Sequence, residues 1–437
     1  MNVNKKILIE KAIILLSIIL VLFLWINHYY FSNFVALLTI ALDVYCLIKS
    51  RKNIFAFFIF LSILYFDYSV IFSKYFFHLP GFNWIFQYIK YDNTMFVGIS
   101  CLYFFHAITT LLVKQKFYER KNNIFDKSAI CSNIPNTKLN VFIILIIIFI
   151  SIVLLDCLFF HIYFSMNSIY EYLIIPIVIL LVLCKGNYIY NKIVFVLIVL
   201  SAAVNIYAGN RVTSLSPLIA YFFVNYYKKI NYKKLLGIMI CVIFIYTIFG
   251  TYGDLLIDGK NINDLKISDY NNKMTKNLFT LDTAYSSYWT GLTFVESTNF
   301  IPSDQRRKNF IQYISSYTIL GSKSNYAQVT GISRQYYLHW GGGFIMMYFY
   351  YWLGVFGVII ISVYFSYLLN VFSKINYDSN NYVKILFLYF ICTIPRWYLY
   401  FPTSLFRGIF VLSVVYLIFS IFINHNNNYQ KGSVKND

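Results

Sequence analysis

The basic residues of this chain lie in the gaps between long apolar runs, and gaps rich in Lys and Arg alternate with poor ones. A run of about 20 apolar residues crosses a bilayer as one helix, and short loops rich in Lys and Arg stay on the cytoplasmic side. Twelve runs approach that length, at 7–26, 29–48, 54–73, 94–113, 139–159, 169–184, 193–210, 212–227, 235–252, 344–371, 383–400 and 408–424. With the N-terminus inside, the inner gaps hold Lys5, Lys6 and Lys11, Lys49, Arg51 and Lys52, the group from Lys114 to Lys138, Lys185 and Lys192, Lys228 to Lys234, Lys374 and Lys384, then Lys431 and Lys435. The short outer gaps hold only Lys74, Lys90, Arg211, Arg396 and Arg407. The pattern predicts an all-α integral membrane protein of 12 transmembrane helices, within a range of 11–13, with both termini cytoplasmic. Lys5-Lys6 followed by Ile7 to Ile26 has no small-residue cleavage site before Asn27-His28-Tyr29 and is expected to remain as the first helix. The run from 344 exceeds one upright span and is expected to tilt or project.

Composition narrows the function. Of 437 residues 59% are hydrophobic and 12% charged, about half the charged share of a soluble domain. The net charge of +19 is dispersed over loops rather than gathered on one face, which argues against nucleic-acid binding. Six cysteines lie in apolar runs and Cys131 in a basic loop, with no CxxC, so neither a disulfide framework nor a metal site is indicated. The Asn-rich segment 424–437 reads as a disordered cytoplasmic tail. No internal repeat and no matched pair of broken helices, of the kind many transporters carry, is visible.

One segment, 253–340, is long enough to hold chemistry outside the membrane, between helices 1–9 (residues 1–252) and helices 10–12 (residues 341–424). Gly253 to Asn277 reads as polar loop, and Leu281, Tyr285, Tyr288, Trp289 and Leu292 then recur at helical spacing up to Glu296. Ser303 is a candidate N-cap for a second helix, with Phe310, Tyr313, Ile314 and Tyr317 as its apolar stripe. Such a helix is expected in the headgroup layer, where Arg306, Arg307 and Lys308 would meet either anionic lipid or a lipid-linked phosphate. The segment ends on Ser333-Arg334-Gln335-Tyr336-Tyr337-Leu338-His339-Trp340-Gly341-Gly342-Gly343, after Gly321-Ser322-Lys323-Ser324-Asn325. Aromatic faces with amide groups suit sugars and Arg suits diphosphates, so Asn325, Tyr336, Tyr337 and Trp340 are candidate sugar contacts. An interfacial aromatic belt with a glycine hinge is the plainer reading, to which Arg334 and His339 would add nothing.

From about 200 to 360 the chain resembles the Wzy-type oligosaccharide repeat-unit polymerases of O-antigen and capsule assembly. The resemblance runs through Ala208-Gly209-Asn210-Arg211, the late outer loop with Glu296, Ile301-Pro302 and the Gly-Ser…Asn stretch, Tyr336 to Gly343, and Trp352-Leu353-Gly354-Val355-Phe356-Gly357. In some members an Arg is followed by Gly at a fixed interval in two outer loops; here the first Gly after Arg211 is Gly237, so that pattern is absent. The resemblance implies a glycosyltransferase in the bacterial inner membrane, acting on the periplasmic or extracytoplasmic face. It would transfer a growing glycan from one undecaprenyl diphosphate to the non-reducing sugar of another lipid-linked repeat unit, for lipopolysaccharide or capsule. The diphosphate already activates the donor, so no cofactor and no metal are called for. The expected partners are the lipid-linked oligosaccharide and membrane lipid, and a chain-length regulator is the further protein partner that the resemblance allows.

That chemistry makes two demands. Negative charge on the departing diphosphate needs fixed cations, and the carboxylates of the loop (Asp254, Asp258, Asp264, Asp269, Asp282, Glu296, Asp304) are too scattered to hold a metal instead. Arg211, at a helix junction, Arg334, Arg396 and Arg407 are the candidates; each could also be an interfacial anchor. The attacking hydroxyl needs a base or an orienting group, for which His339 and Glu296 are the candidates, with His161 and Asp156 behind them. Asp43 and Asp67 fall inside predicted spans, where ionisable groups usually serve a function, and no Lys or Arg partner is evident. An O-antigen ligase uses the same donor with another acceptor. A lipid-linked oligosaccharide flippase is the non-enzymatic alternative, and would line a cavity with intramembrane charge.

Overall fold

The computed structural model describes residues 3–76, 92–119, 124–125, 137–159, 172–207, 211–257, 282–318, 329–337, 339, 341–376 and 378–433. Their regular structure is helical throughout, with no strand among them. Leaving out short turns, the helices are α1 Val3–Ile26, α2 Ser32–Lys49, α3 Ile54–Ile71, α4 Asp92–Leu112, α5 Thr137–Phe159, α6 Ile174–Leu183, α7 Tyr188–Tyr207, α8 Arg211–Tyr226, α9 Tyr232–Ile257, α10 Asp282–Ser297, α11 Ser303–Thr318, α12 Val329–Ser333, α13 Ile345–Leu353, α14 Val355–Phe372, α15 Asn381–Cys392, α16 Ile394–Leu399 and α17 Thr403–Ser433. Six are long and apolar enough to cross a membrane: Ile7–Ile26, Ser32–Lys52, Ile54–Phe76, Asp92–Leu112, Tyr188–Ile206 and Val355–Phe372. Large apolar side chains face outward, among them Leu16 at 65% exposure, Phe23 at 55% and Ile240 at 61%. An apolar exterior of that kind suits hydrocarbon rather than water, and the chain is an α-helical membrane protein.

The chain forms two compact units. The first comprises residues 1–121, 272–374 and 394–403, with α3 and α4 nearly enclosed by α1, α2, α10 and α14. Its polar contacts gather the basic gaps at one end. Lys49 Nζ pairs with Glu10 at 3.3 Å, Asn53 Nδ2 donates to Phe117 O at 2.6 Å, and Asn370 Oδ1 accepts from Lys114 N at 2.8 Å. Asn53 also caps α3, its Oδ1 accepting from Phe55 N at 3.1 Å and so satisfying a backbone donor that lipid could not. At the other end of α4 Thr94 donates to Glu296 of α10, and Tyr75 Oη, 2.5 Å from Tyr288 Oη, donates to Met95 O.

The second unit comprises residues 122–271, 375–393 and 404–437. In it α6 is buried among α5, α7, α8 and α15. Asn187 caps α7, and Lys185 Nζ donates to Val224 O at 2.8 Å, taking a carbonyl near the C-terminal end of α8.

Several expectations need correction. The run 344–371 is two helices, because Gly354 sits at φ +63 and breaks it between α13 and α14. The run 383–400 is likewise two helices, parted at Thr393. α9 continues to Ile257, so 253–257 is helical where polar loop was expected, and α17 runs on through Ser433 over most of the tail expected to be disordered. A helix once nucleated propagates into polar sequence, since each added residue gains a backbone bond.

Past the Gly354 break, the backbone passes so tightly that a Cβ on Gly357 would meet the Phe349 carbonyl, with its carbon at 2.6 Å. Backbone cannot yield as a side chain does, so Gly357→Ala lowers stability by about 1–3 kcal/mol. A clear fall in the melting temperature of the purified variant is expected, and an unchanged melt would mean the two helices part freely.

Candidate functional site

α10 lies in the expected outer segment yet is a core helix of the first unit, with Tyr288, Leu292 and Phe294 fully buried against α3, α4 and α13. Its hydroxyl groups are satisfied within the helix: Thr290 donates to Ser286 O, Thr293 to Thr290 O and Ser297 to Thr293 O. Thr293 Oγ1 also lies 2.6 Å from Ser333 Oγ, which fixes the end of α12 and with it the start of the Arg334 segment.

α11 packs one face against the rest of the first unit. Its inner face is Arg306, Asn309, Phe310 and Tyr313, and Tyr313 and Phe310 lie against Trp352 of α13 at 4.2 and 5.4 Å between ring centroids. Ile314, expected on that stripe, is exposed. Arg306 Nη1 donates to Tyr351 O at 2.8 Å and its Nε to Ile301 O, so this cation ties the start of α11 to the C-terminal end of α13. Arg307 pairs with Asp304 at 3.6 Å on the surface.

The glycines place the site. Gly341, Gly342 and Gly343 have φ of +102, +84 and +153, a left-handed run that other residues rarely adopt. Gly343 N donates to Leu399 O at 3.0 Å, and Thr290 Oγ1 donates to Gly341 O at 3.4 Å, so the turn is held between α16 and α10. A Cβ on Gly341 would come within 3.0 Å of Arg334 Nη2, and one on Gly342 within 3.1 Å of the Tyr400 ring. Arg396 stacks over that same Tyr400 ring at 5.7 Å. Arg334 and Arg396 therefore border one glycine turn. Arg334 is exposed, and Arg396 half-buried.

His339 lies just before the turn, buried, with its ring 6.2 Å edge-on from Phe294. Neither Nδ1 nor Nε2 has a hydrogen-bond partner among the described residues. Burial, and then the Arg334 guanidinium, depress its pKa from 6.5 to about 4, so the imidazole is neutral at pH 7. It can take a proton but is a weak base until an anion offsets the charge of Arg334. Because the folded value lies below the unfolded one, the folded state binds fewer protons between the two. Stability that is full above pH 6.5 therefore drains as pH falls to about 4. His339→Gln should flatten that slope in melts at neutral and mildly acid pH; an unchanged slope would place its origin elsewhere.

Glu296 is buried and accepts the Thr94 hydroxyl. It is two residues from Phe294 on α10 and leaves the helix on another face, and no hydrogen bond joins it to His339. Tyr336 and Tyr337 group with Phe300, at 4.6 and 6.3 Å between centroids, and Tyr336 and Phe300 are exposed, forming an aromatic shelf. Arg211 opens α8 and Arg407 lies over the Tyr172 ring at 5.6 Å; both belong to the second unit. The side chain of Arg211 and the residues Asn325, Trp340, His161 and the turn 208–210 lie outside the described set.

A second constellation, which the sequence reading did not assemble, lies deep in the first unit. His106 of α4 reaches Asp67 of α3 from Nε2 at 2.7 Å and faces Asp43 of α2 from Nδ1 at 3.3 Å. Tyr398 of α16 donates to Asp67, with its oxygen 3.0 and 3.1 Å from the two carboxylate oxygens. All four are buried. His106 was legible as the third ionisable residue inside an early apolar run, since a search for Lys and Arg alone passes over it.

No family model, curated protein or solved structure matches this chain. Function must therefore be read from the site itself.

Proposed function

We propose that the chain polymerises undecaprenyl-diphosphate-linked oligosaccharide repeat units at the extracytoplasmic face of the bacterial inner membrane, with twelve spans and both termini cytoplasmic. The observation that carries this reading is His339, a buried imidazole with two unpartnered nitrogens, beside Arg334 at a turn that Arg396 also borders. A buried polar group without a partner is costly, and a ligand hydroxyl would satisfy it.

In this reading Arg334 and Arg396 face the donor diphosphate and His339 faces the acceptor sugar. As the bond from the donor sugar's anomeric carbon to the phosphate oxygen breaks, the acceptor oxygen bonds to that carbon. Its proton passes to His339, and the lipid diphosphate departs with both electrons of the broken bond. An arriving diphosphate offsets the Arg334 charge and raises the basicity of His339 when a base is needed. The Phe300, Tyr336 and Tyr337 shelf would take a sugar face. Glu296, already engaged by Thr94, is the second candidate base.

A flippase is the second reading, favoured by the intramembrane Asp43, His106 and Asp67, since ionisable groups at membrane depth often mark transport pathways. Deletion of the gene, with gel analysis of surface polysaccharide, separates the readings. Single repeat units without long chains support polymerase. Loss of all surface repeats points to the flippase, and long chains left off their final acceptor point to a ligase.

A further inference from the structure

The Asp43, His106, Asp67 and Tyr398 cluster takes no part in the transfer described above. It sits inside the spans: Asp43 is six residues from Lys49 on α2 and His106 six from Leu112 on α4, about 9 Å along each helix axis. Asp67 is thirteen residues in from Ile54, about 20 Å along α3, so the group lies within a hydrocarbon thickness of about 30 Å.

Charge decides what the site lacks. A protonated imidazole between two carboxylates leaves one negative charge in excess. No Lys or Arg among the described residues pairs with either carboxylate. The other ionisable groups facing the cluster are Cys46 of α2, Tyr398 of α16 and Tyr288 of α10, a thiol and two phenols, none of which supplies a positive charge. From α14 comes Phe365, whose ring lies 5.2 Å from Phe105. One atom is left over. Asp43 Oδ2 is fully buried and has no hydrogen-bond partner among the described residues. One ligand atom from each of Asp43, Asp67 and His106 lies within 4.8 Å of the others, so the group has room for a metal ion as well as for a proton. Both imidazole nitrogens already face carboxylates, so the ring could ligate a metal ion only after one of those contacts is broken. A proton needs only the one atom.

We propose that Asp43, His106 and Asp67 form an exchangeable proton-binding site within the membrane-spanning part of the first unit, with Asp43 Oδ2 as the acceptor. Binding forms one O–H bond on the Asp43 carboxylate and brings the cluster to neutrality; release reverses it to a proton acceptor in water. His106 and Tyr398 both contact Asp67, so the Asp43 Oδ2 atom is the carboxylate oxygen left without a partner among the described residues. The proposal is independent of the transferase reading, since it concerns occupancy and not glycan.

The test is an infrared difference titration of the purified full-length protein between mildly acid and alkaline buffer. Wild type should show a protonated-carboxyl C=O band that titrates, Asp43→Asn should lose it, and Glu10→Gln should keep it. Asp43→Asn, the neutral isostere, should also melt with wild type at neutral pH. A band unchanged in Asp43→Asn overturns the proposal. So does a saturable rise in wild-type melting temperature with sodium, zinc or manganese that Asp43→Asn abolishes, because the occupant is then a metal ion. Should Asp43→Asn fail to accumulate, His106→Gln must move the titration to more alkaline pH by removing the facing positive charge, and an unmoved titration overturns the assignment.

Discussion

If the proposed glycan transfer holds, Arg334→Ala should leave single repeat units on the cell surface and remove long chains, with the rate of transfer falling by about 10²–10³-fold. The magnitude is that of deleting one fixed donor from a site where negative charge develops. Arg334 is exposed, and its Nη2 is the atom a Cβ on Gly341 would meet at 3.0 Å. Truncating it should therefore cost little fold stability, so a loss of polymer in a well-expressed variant reports on the transfer. Arg334→Lys separates charge from shape. A point charge cannot reproduce the two parallel bonds of a guanidinium fork, and this variant is expected between wild type and Arg334→Ala. His339 supplies an internal check: without Arg334 one cause of its depressed pKa is gone, so its titration moves up toward the ordinary imidazole range. Normal chain length in Arg334→Ala would remove the arginine from the mechanism.

His106→Leu is expected to lower the stability of the first unit sharply. The imidazole is the only basic partner found for Asp43 and Asp67 among the described residues, at 3.3 and 2.7 Å. Removing one member of a buried ionic group leaves the others uncompensated and costs about 3–5 kcal/mol. A sharp drop in melting temperature and in yield should follow. Converting the whole group, as Asp43→Asn, Asp67→Asn and His106→Leu together, should recover much of the loss, because the penalty belongs to unpaired charge and not to the missing ring. A His106→Leu protein that melts with wild type would mean the carboxylates are neutral without it.

Helices were easier to read from this sequence than sites, for a physical reason. Twenty apolar residues in a row must form a helix in lipid, so the runs at 7–26, 54–73 and 94–113 find their counterparts in α1, α3 and α4. Breaks inside a run depend on single backbone angles, and nothing in composition distinguishes the positive φ of Gly354 from an ordinary helical glycine. α10 illustrates a different difficulty. Its spacing announced a helix ending near Glu296, but both a core helix and a surface helix can carry Tyr285, Tyr288, Trp289 and Leu292. Only the packing of Tyr288 and Leu292 to full burial decides between them. Arg334 and His339 could be chosen from their neighbourhood in sequence, and their meeting at the glycine turn with Arg396 required the fold. The Asp43, His106 and Asp67 cluster joins three helices across 63 residues, and no local pattern announces such a contact.

The central claim is glycan transfer between lipid diphosphates, and reconstitution tests it most directly. Purified full-length protein in vesicles would be given a lipid-diphosphate-linked oligosaccharide as its only substrate and sampled over time. The account predicts a ladder rising by one repeat unit per step, with free lipid diphosphate released in equal amount. Substrate that stays one unit long while crossing to the opposite leaflet would contradict it.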